Sequence, residues 1–133
     1  ASNRVWFGCQ FRGDAGSPQL VGYATLDGDI RLIELPDDAL RNLRNYVGSV
    51  ARSADGDLIA VSSPEGDTIL AIDAATTRPV FIAPLKDGCG IAPDSTGFLA
   101  SSGLGDVTGL GGSSATQQKF DFGFDNHLRR LDL

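Results

Sequence analysis

The sequence predicts an all-β protein, part of a β-propeller with two to three four-stranded antiparallel blades and one short helix. Turn signals such as Asp27-Gly28 and Asp55-Gly56 separate short apolar runs that are rich in β-branched residues. These runs recur every eight to twelve residues or so, a spacing typical of successive β-strands. Residues 92–102 also repeat the pattern of residues 53–63, an Asp-centred turn followed by an apolar strand that ends in Ser-Ser. That offset of 39 residues is close to the period of a four-stranded blade.

The first blade is predicted to be partial and to occupy residues 1–35, with strands at 5–11, 20–26 and 30–35. A short helix follows at residues 37–46, where Pro36 and two acids mark the start. We expect Asp37 at the N-cap, because acids at a helix N-terminus are stabilised by its unpaired N–H groups and by its dipole. Leu40 and Leu43 share the apolar face of this helix.

The second and third blades are predicted at residues 47–86 and 87–124, and a tail at residues 125–133 completes the chain. Alternating and β-branched patterns place the strands of these two blades at 47–52, 57–62, 68–73, 79–85, 90–92, 98–102, 106–110 and 119–124.

Two or three blades do not close a ring, and each blade carries two apolar faces. We therefore expect the open faces to be covered by more of the same polypeptide or by a second copy of it. A compact sandwich that buries both faces internally is the alternative fold.

Charge and hydropathy exclude some classes of partner. The chain has 17 acidic and 11 basic residues and a formal charge of −6, so we expect no nucleic-acid partner. No apolar run has the length of a membrane-spanning helix, so no membrane span is expected. The sequence contains no Met and shows no signal peptide, which suggests a processed or clipped piece of a longer protein.

An ordered set of short segments carries a family resemblance. The segments are Tyr46–Ala51, Ser63–Gly66, Asp87–Pro93, Gly97–Gly103 and Asp125–Leu128. In this order they resemble the C-terminal part of the DUF1513 family, which is similar to YVTN/WD40-like β-propellers. The resemblance implies an exported, periplasmic bacterial protein with no established catalytic activity. It also implies a missing N-terminal part, and iron-uptake proteins of the imelysin-like type as candidate partners.

The strongest candidate site lies in the tail, where His127 is the only histidine and Asp125 is close to it. Imidazole and carboxylate groups ligate metals, so these two residues predict a metal site at the mouth of a propeller channel. The alternative is that residues 125–126 form a turn and that His127 bonds a backbone carbonyl. Asn126, Cys89 and Tyr46 are predicted to belong to a ligand or partner surface beside it.

Other motifs give little support for a cofactor or for catalysis. One histidine and two distant cysteines do not provide the paired ligands of a zinc site. Residues 103–109 lack the third glycine of a dinucleotide loop, and no nucleophile elbow occurs. We therefore expect no cofactor other than a metal ion, and a non-catalytic binding or scaffolding propeller. A metal-binding or enzymatic propeller using Asp125 and His127 is the alternative, and a Cys9–Cys89 disulfide stays open.

Overall fold

The computed structural model describes residues 3–14, 16–112, 117–129 and 131. These residues form eleven strands and one helix. In chain order the elements are β1 (Arg4–Gly8), β2 (Val21–Thr25), β3 (Ile30–Leu32), α1 (Asp37–Leu43), β4 (Ser49–Arg52), β5 (Leu58–Ser63), β6 (Thr68–Asp73), β7 (Pro79–Pro84), β8 (Gly88–Asp94), β9 (Gly97–Ser102), β10 (Asp106–Leu110) and β11 (Gln117–Lys119).

Each sheet is an antiparallel meander in which neighbouring strands are also consecutive in the chain. The first sheet contains β1 to β3, the second β4 to β7 and the third β8 to β11. The predicted all-β fold, with four-stranded antiparallel blades of propeller type and one short helix, is confirmed. None of the described sheets closes into a barrel.

The second sheet is the middle layer and is apolar on both faces. In β5, Ile59 and Val61 belong to a core shared with the first sheet and α1, whereas Ala60 belongs to a core shared with the third sheet. All three side chains are fully buried. β6 alternates in the same way, with Leu70 and Ile72 on one face and Ile69 on the other. Successive side chains of these strands therefore point to opposite faces of the sheet, but both faces are buried, so apolar residues do not alternate with polar ones.

Helix α1 closes the gap between the first and second sheets, where Leu40 and Leu43 are buried. The prediction of an aspartate N-cap was wrong. Pro36 holds that position without a side-chain cap, and both acids lie in the first turn. The helix ends at Leu43, earlier than predicted, because Arg44 and Asn45 have φ angles of 45° and 60°. Two successive residues in the left-handed region cannot continue a right-handed helix.

β4 and β8 begin at the same end of the molecule, which we call the mouth. Ser49 starts β4 and pairs with Ser62, and the Ser62 hydroxyl donates to the backbone oxygen of Cys89 near the start of β8. β1 runs in the opposite direction. Its last residues approach the mouth, where the Val47 N–H donates to the Cys9 carbonyl at 3.1 Å.

The strand predicted at residues 119–124 was wrong. β11 ends at Lys119, and the following residues fold around the β9–β10 turn. The Phe120 N–H still donates to the Gly105 carbonyl at 2.8 Å, in register one position beyond the last ladder pair of β10 and β11, Asp106 with Lys119. The rings of Phe120, Phe122 and Phe124 contact one another, with centroids 5.2 to 5.5 Å apart. Beyond Phe120, mutual aromatic packing replaces strand pairing.

Candidate functional site

The tail lies across the mouth and is held by the third sheet. The Phe124 N–H donates to the Ser102 carbonyl at 3.1 Å, and the Cys89 thiol is 3.4 Å from the Phe124 carbonyl. Further along, Leu128 lies against Gly90, where an added Cβ would be 2.9 Å from the Leu128 Cβ. Glycine at position 90 therefore leaves the space that the tail occupies. Of the predicted tail, residues 125–129 and Leu131 are described, and the other residues lie outside the described part.

Asn126 and Tyr46 meet at the mouth although they are 80 positions apart in sequence. The Asn126 Nδ2 group donates to the Tyr46 hydroxyl at 3.2 Å, and both side chains are half-buried. Tyr46 is positioned by an antiparallel bridge to Gln10 and by its N–H bond to the Leu43 carbonyl. An added Cβ at Gly48 would be 2.9 Å from the Asn126 Oδ1 atom, so the amide packs on bare backbone. The fold thus brings together two of the residues that the sequence singled out.

Asp125 and His127 are exposed on either side of Asn126. The Asp125 carboxylate accepts a hydrogen bond from the N–H of the next residue, Asn126, at 2.7 Å, and the backbone bends at Asn126. Among the described residues, no three His, Cys, Asp or Glu side chains gather where they could hold a metal ion. The predicted metal site therefore has two accessible side chains from this part of the chain, one imidazole and one carboxylate.

Cys89 lies beneath the mouth rather than on it, because its side chain is only 3% exposed. Its sulfur is 3.4 Å from the Ser101 carbonyl and equally far from that of Phe124. The Cys89 carbonyl accepts the Ser62 hydroxyl bond from the second sheet. Cys89 therefore links the second sheet, the third sheet and the tail. Cys9 and Cys89 are both free thiols.

A second concave region, which the sequence analysis missed, lies at the end of the sheets opposite the mouth. This groove has a volume of about 810 Å³ and is lined by acidic and basic side chains. Arg4 donates to the Ala74 carbonyl at 2.9 Å and stacks over the Tyr23 ring, with 4.2 Å between the guanidinium carbon and the ring centroid. The sequence signals at this groove were Asp-Gly dipeptides, which equally well indicate hairpin turns.

Two carboxylates of this groove, those of Asp55 and Asp73, accept hydrogen bonds within their own turns. Asp73 accepts hydrogen bonds from the Thr76 backbone N–H and from the Thr76 hydroxyl. These bonds, the backbone one most strongly, hold the pKa of Asp73 below its usual value. Hydrogen bonds from the Ser53 hydroxyl and, less strongly, from the Asp57 backbone N–H lower the pKa of Asp55 in the same way. Both aspartates thus act as acceptors that cap turns, a common role for this residue type.

Comparison with known sequences identifies the family. A sequence model described as "Protein of unknown function (DUF1513)" matches residues 1–131. The chain belongs to the DUF1513 family. The predicted relationship is thereby confirmed, and the match covers nearly the whole chain. No curated protein and no solved structure matches it.

The DUF1513 match includes every residue of the mouth described above, from Cys9 to Leu128. Among the described residues, no helix has the length and apolar character needed to cross a bilayer.

Proposed function

We propose that this DUF1513 protein is a non-catalytic binding or scaffolding β-propeller of the bacterial periplasm that takes part in iron uptake. The observation that carries the proposal is the hydrogen bond between Asn126 and Tyr46. This bond holds the tail across the mouth, so that Asp125, His127 and Arg129 face solvent. A fixed backbone that displays exposed polar groups is suited to recognition of a partner.

The chemistry of the mouth supports binding over catalysis. A general base needs a neighbouring group that fixes its orientation, usually a carboxylate or a carbonyl. Within the described part of the chain, His127 makes no side-chain hydrogen bond, and Cys89 is buried under the tail. The groups that do face solvent are an acid, an imidazole and a guanidinium, which can pair with charges on another protein.

Metal binding at Asp125 and His127 is the second candidate. Its support is that both side chains are exposed and lie two residues apart in the tail. An imidazole and a carboxylate separated by one residue are both metal-ligating groups, and their closeness in the chain would let them share one ion. The remaining coordination positions would be filled by water or by a partner protein.

The test uses a purified imelysin-like iron-uptake protein as the probe and biolayer interferometry as the measurement. We expect binding that weakens about tenfold, or about 1.4 kcal/mol, in the Asp125→Asn and His127→Ala variants. Asp57→Asn is the matched control, because this exposed aspartate lies at the opposite end of the sheets. Equal binding by all variants, or no binding by the wild type, would contradict the proposal.

A calorimetric titration with Fe²⁺, Ca²⁺ and Cu²⁺ separates the two candidates. Binding of about one metal ion per chain in the wild type, with no heat of binding in the His127→Ala variant, supports the metal site. The absence of such a heat, together with binding of the probe protein, supports the scaffold.

A further inference from the structure

The segment between β11 and the tail takes a different path from the corresponding segment of the second sheet. Pro84 and Lys119 hold equivalent places, because each pairs with the first residue of the third strand of its own sheet. Beyond Pro84 the chain makes a tight turn, in which the Gly88 N–H donates to the Leu85 carbonyl at 3.0 Å, and enters β8 directly. Beyond Lys119 the chain folds back over the β9–β10 turn before it reaches the tail. We call this segment, Phe120–Phe124, the aromatic loop.

The aromatic loop is anchored to the third sheet by its backbone. The N–H groups of Phe120 and Phe124 donate to the carbonyls of Gly105 and Ser102. A Cβ added to Gly105 would collide with the carbonyl oxygens of Phe120 and Phe122, so glycine at this position lets the loop lie directly on the turn. The rings of Phe120 and Phe122 are 5.3 Å apart, and the two residues are 37% and 56% exposed. The loop therefore presents two adjacent aromatic rings at the mouth.

Leu104 adds a third apolar side chain at the β9–β10 turn and is 47% exposed. The corresponding turn of the second sheet, residues 64–67, carries the exposed charges Glu65 and Asp67 instead. We call Leu104, Phe120 and Phe122 together the aromatic patch. Clustered apolar side chains on an exposed loop mark an interaction site, because exposed connections carry binding functions more often than the elements that they join.

Acidic side chains surround the aromatic patch. Asp121 lies between the two aromatic residues in the chain, Asp125 directly follows the loop, and both are exposed. The Asp87 carboxylate lies against the β9–β10 turn itself. Lys119 is already paired with Asp106 at 3.0 Å. The rim of the patch is therefore rich in carboxylates that this lysine does not neutralise.

The charge of the rim selects the partner. Lys86, next to Asp87 in the chain, offsets one of the three acids, and Arg129 comes four positions after Asp125, further along the tail. Two negative charges remain beside the patch among the described residues. A partner that fits presents an apolar side chain for the rings and a cation for the rim. Arginine also stacks favourably on phenylalanine rings, whereas an anionic lipid surface attracts basic segments and not acidic ones.

We propose that the aromatic patch is a docking site for a protein segment that carries apolar side chains flanked by arginine or lysine. The site adjoins the surface formed by Asp125, His127 and Arg129 at the mouth. It is carried by the path of the aromatic loop, by its exposed rings and by its acidic rim, so it does not depend on a role in iron uptake.

The probe is a fluorescein-labelled peptide of about ten residues in which leucine and arginine alternate, and its binding is measured by fluorescence anisotropy. Its affinity should fall about tenfold in Phe122→Ser and about threefold in Leu104→Ser and in Asp121→Asn. Val80→Ser is the matched control, because Val80 is 53% exposed on β7 outside the patch, and it should bind like the wild type. A second peptide, in which glutamate replaces arginine, should bind about tenfold more weakly.

Amide chemical shifts locate the bound peptide. In a titration followed by nitrogen–proton correlation spectra, the amides of Leu104, Phe120 and Phe122 should shift, whereas the Val80 amide should not. Circular dichroism confirms that each variant is folded, and vesicles of phosphatidylglycerol serve as a second probe that should not bind.

Four results would overturn the proposal: no binding of the arginine peptide, equal affinity for both peptides, unchanged affinity in Phe122→Ser, or binding to the vesicles in place of the peptide. Failure of the imelysin-like protein to bind would contradict the proposed function alone, because the peptide measures the aromatic patch directly.

Discussion

Replacing Ile59 by alanine should destabilise the fold strongly, because this residue lies at the centre of the middle sheet. Ile59 belongs to the second sheet, and its side chain is completely buried in the core that this sheet shares with the first sheet and α1. The substitution removes three carbon atoms, which is worth about 2.4 kcal/mol at about 0.8 kcal/mol per methylene. Incomplete collapse around the cavity adds to this cost. We expect a total loss of about 3 to 4 kcal/mol in the free energy of unfolding.

Urea denaturation measures this loss. Unfolding is monitored by circular dichroism at a fixed chain concentration, and the curves are fitted with a common m-value. The matched control is Ile82→Ala on β7, because Ile82 is 42% exposed. Its cost should be below about 1 kcal/mol, since a partly exposed methyl group leaves no closed cavity. If the two variants lose similar stability, or if Ile59→Ala loses less than about 1 kcal/mol, the second sheet is not the buried middle layer.

Three other changes test the turns, the thiols and the contact of α1 with the second sheet. Since the folded-state pKa of Asp73 is lowered, its charge stabilises the fold above the unfolded value near 3.8, and this stabilisation is lost as the pH falls through the folded pKa. Thermal melts of Asp73→Asn should therefore be less pH-dependent in the acid range than those of the wild type, and parallel curves would contradict this. Cys9 should react with a thiol reagent before the buried Cys89, and equal rates would show that the tail does not cover Cys89. Gly66→Ala should cost about 1 to 3 kcal/mol in urea unfolding, because its Cβ would collide with the Asn42 carbonyl of α1, and an unchanged midpoint would argue against that contact.

Local sequence patterns were sufficient where neighbouring residues determine the structure. The strands Thr68–Asp73 and Asp106–Leu110 were predicted with the bounds that the structure shows. Each is an apolar or β-branched run that lies between turn residues, and turn residues act over a few positions only. The residues 120–124 looked similar, but the rings of three phenylalanines pack together there and the segment leaves the sheet.

The candidate site was predictable by residue type but not by arrangement. Asn126, Tyr46 and Cys89 were singled out in sequence, yet nothing local indicates that Asn126 bonds Tyr46 or that Cys89 lies under the tail. The groove around Arg4 and Asp73 was missed for the same reason, since its lining comes from turns that are far apart in the chain.

For this protein, the sequence by itself determined the all-β class, the single helix, most strand positions and the family. These depend on side-chain period, turn chemistry and ordered motifs, all of which are properties of short segments. Only the tertiary structure decided that β1 runs opposite to β4 and that the tail crosses the mouth onto β8. These features depend on which distant surfaces exclude water together, and the glycines at positions 48 and 90 permit the close contacts only after the sheets have assembled.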